Sequence, residues 1–75
     1  MANQILSNNL KRCRKSCGFT QQQVADVLKI NRTTYTYYET GKTEPSIDTL
    51  VKLCKLFAVN YDVLLPQLSD VQLSF

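Results

Sequence analysis

Few side chains in this 75-residue chain could perform acid–base, nucleophilic or metal chemistry. Histidine is absent, which removes the commonest general base and the commonest nitrogen ligand of metal ions. Cys13, Cys17 and Cys54 are an odd number of cysteines without CxxC spacing, so they fit neither a disulfide framework nor a four-ligand zinc site. We expect reduced thiols packed in the core, with Cys13 and Cys17 on one face of a helix. The sequence therefore argues against an enzyme and predicts no metal site and no cofactor.

Charge is distributed unevenly along the chain. Residues 1–42 carry seven basic and two acidic side chains, a net charge of +5, whereas residues 43–75 carry two basic and four acidic side chains, a net charge of −2. A basic half indicates an anionic partner, although a solvated surface with a chance imbalance would give the same count.

An unusual polar face is predicted between Asn31, a good N-cap residue, and Gly41, a natural helix-ending residue. The spacing predicts a helix over about residues 31–40, in which Tyr35 and Tyr38 share one face and point to the core. The other side is bulky, polar and poor in charge, and its threonines are poor helix formers, so helix propensity does not explain it. Its outward residues are Arg32, Thr33, Thr36 and Tyr37.

Two helices are predicted before this one. Gly18 would end the first, whose apolar stripe consists of Leu6, Leu10, Cys13 and Cys17. Thr20 and Gln23 form a capping box that begins the second, over about residues 20–28, and Ala25 lets a neighbouring helix come close. The apolar face of this second helix consists of Val24, Val27 and Leu28.

Two more helices are predicted after it. Ser46 would cap the fourth, and Asn60 would cap a short fifth that carries Val63 and Leu64 and is limited by Pro66. Residues 67–75 alternate apolar and polar side chains, which indicates either a strand or a frayed tail. The apolar stripe of the fourth helix consists of Ile47, Leu50, Val51, Cys54 and Phe57.

The length allows one domain, and 44% apolar with 20% charged residues is the composition of a compact globule. No apolar run approaches the roughly 18 residues of a membrane span, and the N-terminus lacks the features of a secretory signal. We therefore expect a soluble, cytoplasmic protein without membrane contact, and without room for a separate domain that binds a small-molecule substrate.

Two short helices joined by a few residues, the first with a small alanine and the second with a polar outer face, describe a helix-turn-helix. In order and spacing the chain resembles the lambda-repressor-like family of phage Cro and repressor proteins, also called the xenobiotic-response-element type. The resemblance implies an all-α, compact five-helix bundle over residues 1–66, followed by the tail at 67–75. The segments that carry it are Leu10–Arg14, Gly18–Ala25, Asn31–Lys42, Pro45–Ser46 and Leu50–Leu65.

The resemblance also implies roles for individual side chains. Arg32, Thr33, Thr36 and Tyr37 match the positions that contact bases. Arginine can bind O6 and N7 of one guanine, and threonine can hydrogen-bond a base or place its methyl group against that of thymine. The family usually has a shorter side chain at the position of Tyr37. As an alternative to a base contact, Tyr37 would therefore stack or contact the sugar-phosphate backbone. The positions that match phosphate contacts are Gln21, which also braces the recognition helix, Thr34, Lys42 and Thr43.

Two structural positions follow from the same resemblance. Arg14 and Glu39 match an internal ion pair between the first and third helices. Lys29 stands at the turn position where the family prefers glycine for its left-handed backbone.

The resemblance implies sequence-specific binding of double-stranded DNA as a homodimer, and regulation, expected to be repression, in a bacterium, phage or mobile element. The candidate dimer contacts are the apolar residues of the tail, Leu68, Val71, Leu73 and Phe75. An antitoxin-like or anti-repressor protein that acts through a protein partner is the alternative, and the tail is the feature that favours it.

Overall fold

The computed structural model describes residues 4–65, which form five α-helices with no β-strand among them. The predicted all-α fold is confirmed within this range. The expectations for residues 67–75, including the dimer contacts Leu68, Val71, Leu73 and Phe75, lie outside the described residues. The helices are α1 (Gln4–Cys17), α2 (Gln21–Leu28), α3 (Arg32–Thr40), α4 (Ile47–Phe57) and α5 (Tyr61–Leu64).

Local signals begin and end most helices where the sequence predicts. The Thr20 side chain accepts a hydrogen bond from the backbone N–H of Gln23, whose own side chain accepts one from the Thr20 N–H, so the capping box is confirmed. Gly18 and Gly41 follow α1 and α3 with φ of +77° and +82°, a backbone that suits glycine. Asn31 precedes α3 with extended backbone, but its side chain makes no capping hydrogen bond.

The core lies where α1 and α2 pack against α3, with α4 and α5 against α1. Tyr35 is fully buried and Tyr38 nearly so, and their rings meet edge to face at 6.1 Å between centroids. Their burial confirms the predicted inward face of α3. The side chains with no exposed surface are Leu10, Val24, Ala25, Tyr35 and Leu53.

Three of the predicted core positions are wrong. Cys17, the last residue of α1, is exposed although helical spacing puts it on the same side as Leu10, because the buried part of this helix ends at Arg14. Val27 is 57% exposed, because α2 turns the adjacent pair Val24 and Ala25 toward α3. The third exposed position is Ile47.

On α4 the buried stripe is displaced from the predicted one. Leu50, Leu53, Cys54 and Phe57 face the core at helical spacing, whereas Ile47, in the first turn, is 75% exposed. On α5, Leu64 is the residue that enters the core. A periodic apolar pattern predicts the existence of such a helix better than it predicts which flank of the stripe faces the neighbours. Within residues 4–65, no helix has both the length and the hydropathy needed to cross a membrane.

Candidate nucleic-acid interface

A tight turn joins α2 to α3 and fixes the angle between them. The turn comprises Lys29, Ile30 and Asn31, and the Lys29 backbone is left-handed with φ of 59°. The N–H of Ile30 donates to the carbonyl of Ala25 at 3.0 Å, and the N–H of Lys29 also donates to the end of α2. Lysine therefore occupies a conformation that usually favours glycine, and the hydrogen bonds at the helix end hold it there.

The outer face of α3 is polar and accessible. Arg32 and Thr33 are exposed in its first turn, Thr36 is partly buried one turn later, and Tyr37 is 36% exposed. Because Tyr35 and Tyr38 supply the contacts with the core, these four outward side chains are not needed to fill it. The structure thus brings the four predicted base-contacting residues onto one accessible region of one helix.

A buried ion pair holds the inner side of α3 to α1. The Nε of Arg14 donates to Glu39 Oε2 at 2.6 Å, and its Nη2 donates to Glu39 Oε1 at 3.2 Å. Both residues are less than 10% exposed. The Nη1 of Arg14 also donates to the carbonyl of Phe19 at 2.9 Å, which ties the loop before α2 into the same contact. Such two-bond geometry orients both planar groups.

The ionisation of this pair follows from its contacts. Burial by itself raises the pKa of Glu39, but the hydrogen bonds and charge of Arg14, with smaller contributions from Tyr35 and Gln21, outweigh it, so the net pKa lies below the usual value. The hydrogen bond to Glu39 likewise raises the pKa of Arg14. Glu39 is therefore a carboxylate at neutral pH and acts only as a hydrogen-bond acceptor.

Gln21 connects this pair to the outer face of α3. Its Nε2 donates to Glu39 Oε1 at 3.1 Å, and its Oε1 accepts a hydrogen bond from Thr36 Oγ1 at 2.9 Å. The family resemblance predicts that Gln21 braces the recognition helix, and the structure identifies Thr36 and Glu39 as its partners in α3. Sequence reasoning missed the contact with Thr36, since the two residues are 15 positions apart and no periodic pattern links them.

The candidate phosphate contacts lie on α2, on α3 and in the turn that follows it. Thr34 is partly buried in α3, whereas Lys42 and Thr43 are exposed beyond its C-terminus. The Nζ of Lys42 lies 4.9 Å from the ring centre of Tyr37, a cation–π contact that the sequence analysis did not predict. The N–H groups of Lys42 and Thr43 both donate to the Tyr37 carbonyl, so the turn and the helix end are joined.

The three cysteines lie outside this interface. Burial raises the pKa of the Cys13 and Cys54 thiols, which keeps them protonated at neutral pH. The Cys17 thiol is 3.9 Å from the carbonyl of Phe57. Among residues 4–65, the His, Cys, Asp and Glu side chains form no group of three that could hold a metal ion.

The chain is similar in sequence to known proteins. Residues 10–64 match the family model described as Helix-turn-helix, HTH_3. The chain is 46% identical over 61 residues to the SPbeta prophage-derived HTH-type transcriptional regulator YonR of Bacillus subtilis, covering 81% of this chain and 56% of that protein. It is 34% identical over 59 residues to the CTXphi transcriptional repressor RstR of Vibrio cholerae, covering 79% and 53%.

A solved structure agrees with these matches. A transcriptional regulator from Listeria innocua superposes with a TM-score of 0.75 at 29% identity, covering 92% of this chain and 73% of that one. The chain spans about half the length of the curated relatives it matches.

Proposed function

The chain belongs to the helix-turn-helix family, as its resemblance to Cro and repressor proteins predicts, and from this membership we propose that it is a sequence-specific, DNA-binding regulator of transcription. In this proposal α3 enters the major groove and α2 lies across its edge. The observation that carries it is the accessible polar face of α3, which is anchored from behind by the Arg14–Glu39 pair.

The base contacts fall to the outward residues of α3. Arg32 stands at the first position of the helix, is exposed and can donate two hydrogen bonds to O6 and N7 of one guanine. Thr33 can hydrogen-bond a base or place its methyl group against that of thymine. Tyr37, with Lys42 over its ring, has the position and bulk for a contact at the edge of the groove.

The phosphate contacts position the protein on the duplex. Gln21 gives one amide hydrogen to Glu39, and its second amide hydrogen serves a phosphate in this proposal. Thr34, Lys42 and Thr43 supply further donors, and the basic balance of residues 1–42 adds long-range attraction to DNA.

Repression and dimerisation belong to the same proposal. One domain of this size offers DNA an interface below roughly 1,000 Å², so two copies on a pseudo-palindrome give the affinity that one copy lacks. The phage repressor among the relatives supports a repressor, and the prophage-derived relative supports an origin in a phage or mobile element.

The test is selection of bound sequences from random duplex DNA by the purified protein, at stated salt concentration. We expect the wild-type protein to select a two-fold-symmetric motif. The Arg32→Ala variant should lose the base preference at one base pair in each half-site. Lys52→Ala removes one positive charge from the exposed side of α4 and serves as the matched control, which should keep the motif. Binding that depends on salt but selects no sequence would contradict the proposal and direct the search to a protein partner.

A further inference from the structure

The hydrogen bonds behind α3 determine what Thr36 can offer to DNA. Glu39 is buried and ionised, so neither of its oxygens can donate. The Gln21 atom 3.1 Å from Glu39 Oε1 must therefore be the amide nitrogen, because an amide oxygen there would face a carboxylate oxygen without a hydrogen between them. The orientation of the Gln21 amide is fixed by charge.

The orientation of Gln21 in turn fixes the proton of Thr36. With its nitrogen turned to Glu39, Gln21 presents its oxygen to the Thr36 hydroxyl at 2.9 Å. An amide oxygen only accepts, so the Thr36 O–H must donate its single hydrogen to Gln21. The Thr36 oxygen is left with lone pairs and no hydrogen for any other partner.

The position of Thr36 makes this polarity relevant to DNA. It lies one helical turn after the exposed Arg32 and three residues after the exposed Thr33, so it shares their side of α3. It is partly buried, which leaves part of the side chain accessible beside Gln21. A base edge that meets Arg32 and Thr33 is therefore within the sector that Thr36 faces.

From this network we infer that Thr36 is a specificity-determining residue that accepts a hydrogen bond from an exocyclic amino group, N6 of adenine or N4 of cytosine. In the major groove, adenine and cytosine present these amino donors, whereas guanine presents only the acceptors O6 and N7, and thymine an acceptor and a methyl group. A threonine with a free hydroxyl hydrogen could donate or accept and so could bond to any of the four bases. The hydrogen bonds from Arg14 through Glu39 to Gln21 leave Thr36 able only to accept. The inference rests on the proposed function and adds the chemistry of one contact.

The first test uses the wild-type protein with altered DNA, so it does not depend on the folding of a variant. At each adenine of the selected motif, purine replaces adenine and removes the 6-amino group, while 7-deazaadenine keeps the amino group and removes N7. At each cytosine, 2-pyrimidinone removes the 4-amino group. We expect one position per half-site where loss of the amino group weakens binding about fivefold, which is the effect of one ordinary hydrogen bond. If the base at that position is adenine, 7-deazaadenine should bind as well as adenine.

The second test identifies the protein partner of that amino group. Thr36→Val keeps the shape and methyl group but removes the acceptor, and Thr36→Ser keeps the acceptor but removes the methyl group. We expect the valine variant to be insensitive to the amino group at that position and the serine variant to keep the wild-type sensitivity. Circular dichroism and thermal unfolding of both variants report whether the fold is retained.

Three outcomes would overturn the inference. A preference for guanine that depends on the Thr36 hydroxyl would mean that the hydroxyl donates to DNA. A preference kept by Thr36→Val and lost by Thr36→Ser would assign the contact to the methyl group on thymine. A motif that depends on Arg32 while no position responds to removal of an amino group would leave the proposed function intact and refute this inference alone, whereas the absence of any motif would refute both.

Discussion

At the scale of single residues, Glu39 connects α3 to both preceding helices. It is buried, it pairs with Arg14 on α1, and it orients Gln21 on α2. Removing one member of a buried ion pair leaves the other charge without compensation, which costs about 3 to 5 kcal/mol. We therefore expect Glu39→Gln to lower the free energy of unfolding by about that amount at pH 7, measured by urea denaturation.

The same residue predicts the acid sensitivity of the fold. The pKa of Glu39 is lower in the folded protein than its ordinary value of 4.5, so the carboxylate stabilises the fold above that pH. This contribution is lost as the pH falls through the lower, folded-state pKa, and Glu39→Gln should lack this part of the pH dependence. Asp26→Asn, which alters an exposed carboxylate that accepts only an exposed hydrogen bond from Gln22, is the matched control. A Glu39→Gln protein as stable as the wild type at pH 7 would contradict the ion pair.

Some of these residue roles could be predicted from the sequence, and others could not. The inward Tyr35 and Tyr38 follow from helical spacing, and the pairing of Arg14 with Glu39 was suggested by resemblance. The direction of the hydrogen bond between Thr36 and Gln21 needs coordinates, since it depends on which Gln21 atom faces a carboxylate. The base and phosphate contacts assigned to α2, α3 and the following turn stay predictions.

At the scale of elements, the turn between α2 and α3 stores backbone strain at Lys29. A non-glycine residue in the left-handed region costs roughly 1 kcal/mol. Substitution by glycine removes this cost, but glycine also loses more conformational freedom on folding, which cancels part of the gain. We expect Lys29→Gly to raise the free energy of unfolding by up to about 1 kcal/mol, measured by urea denaturation.

A second site separates the backbone effect from the loss of charge at Lys29. Ala58, which follows α4, has a nearly equal φ of 56°, and Ala58→Gly should stabilise in the same direction with no change of charge. Lys52→Gly, in the exposed interior of α4, should instead destabilise by about 1 kcal/mol. If Lys29→Gly and Ala58→Gly both lower the free energy of unfolding, the backbone at these two positions is not strained.

Element boundaries were easier to predict than element orientation. The capping box at Thr20 and the glycines after α1 and α3 are local signals, and each marks an observed boundary. The orientation of α4 depends on the helices packed against it, which the sequence pattern does not specify. The predicted apolar stripe therefore includes the exposed Ile47 and omits the fully buried Leu53.

At the scale of the complete protein, the proposed function requires two copies on DNA. The proposed dimer would place two α3 helices about 34 to 36 Å apart on successive major grooves. We expect analytical ultracentrifugation at tens of micromolar to detect a dimer, at least with the selected operator present. Deletion of residues 67–75 should weaken association, because the candidate contacts Leu68, Val71, Leu73 and Phe75 are removed.

Two results would change this picture. A monomer in both the presence and absence of operator would remove the argument for a palindrome. An unchanged association constant after the deletion would exclude the tail and leave the exposed apolar residues of the helices, such as Val63 on α5, as candidates.

The separation of the two faces of α3 also bears on how such a protein could acquire a new target. Arg32 and Thr33 are exposed and make no contact that the core requires, so substitutions there should alter the preferred operator at little cost in folding. Thr36 differs, because its hydroxyl belongs to the network that orients α3. Evolution or engineering should therefore change the first turn of α3 freely, whereas changes at Thr36 call for a compensating change at Gln21.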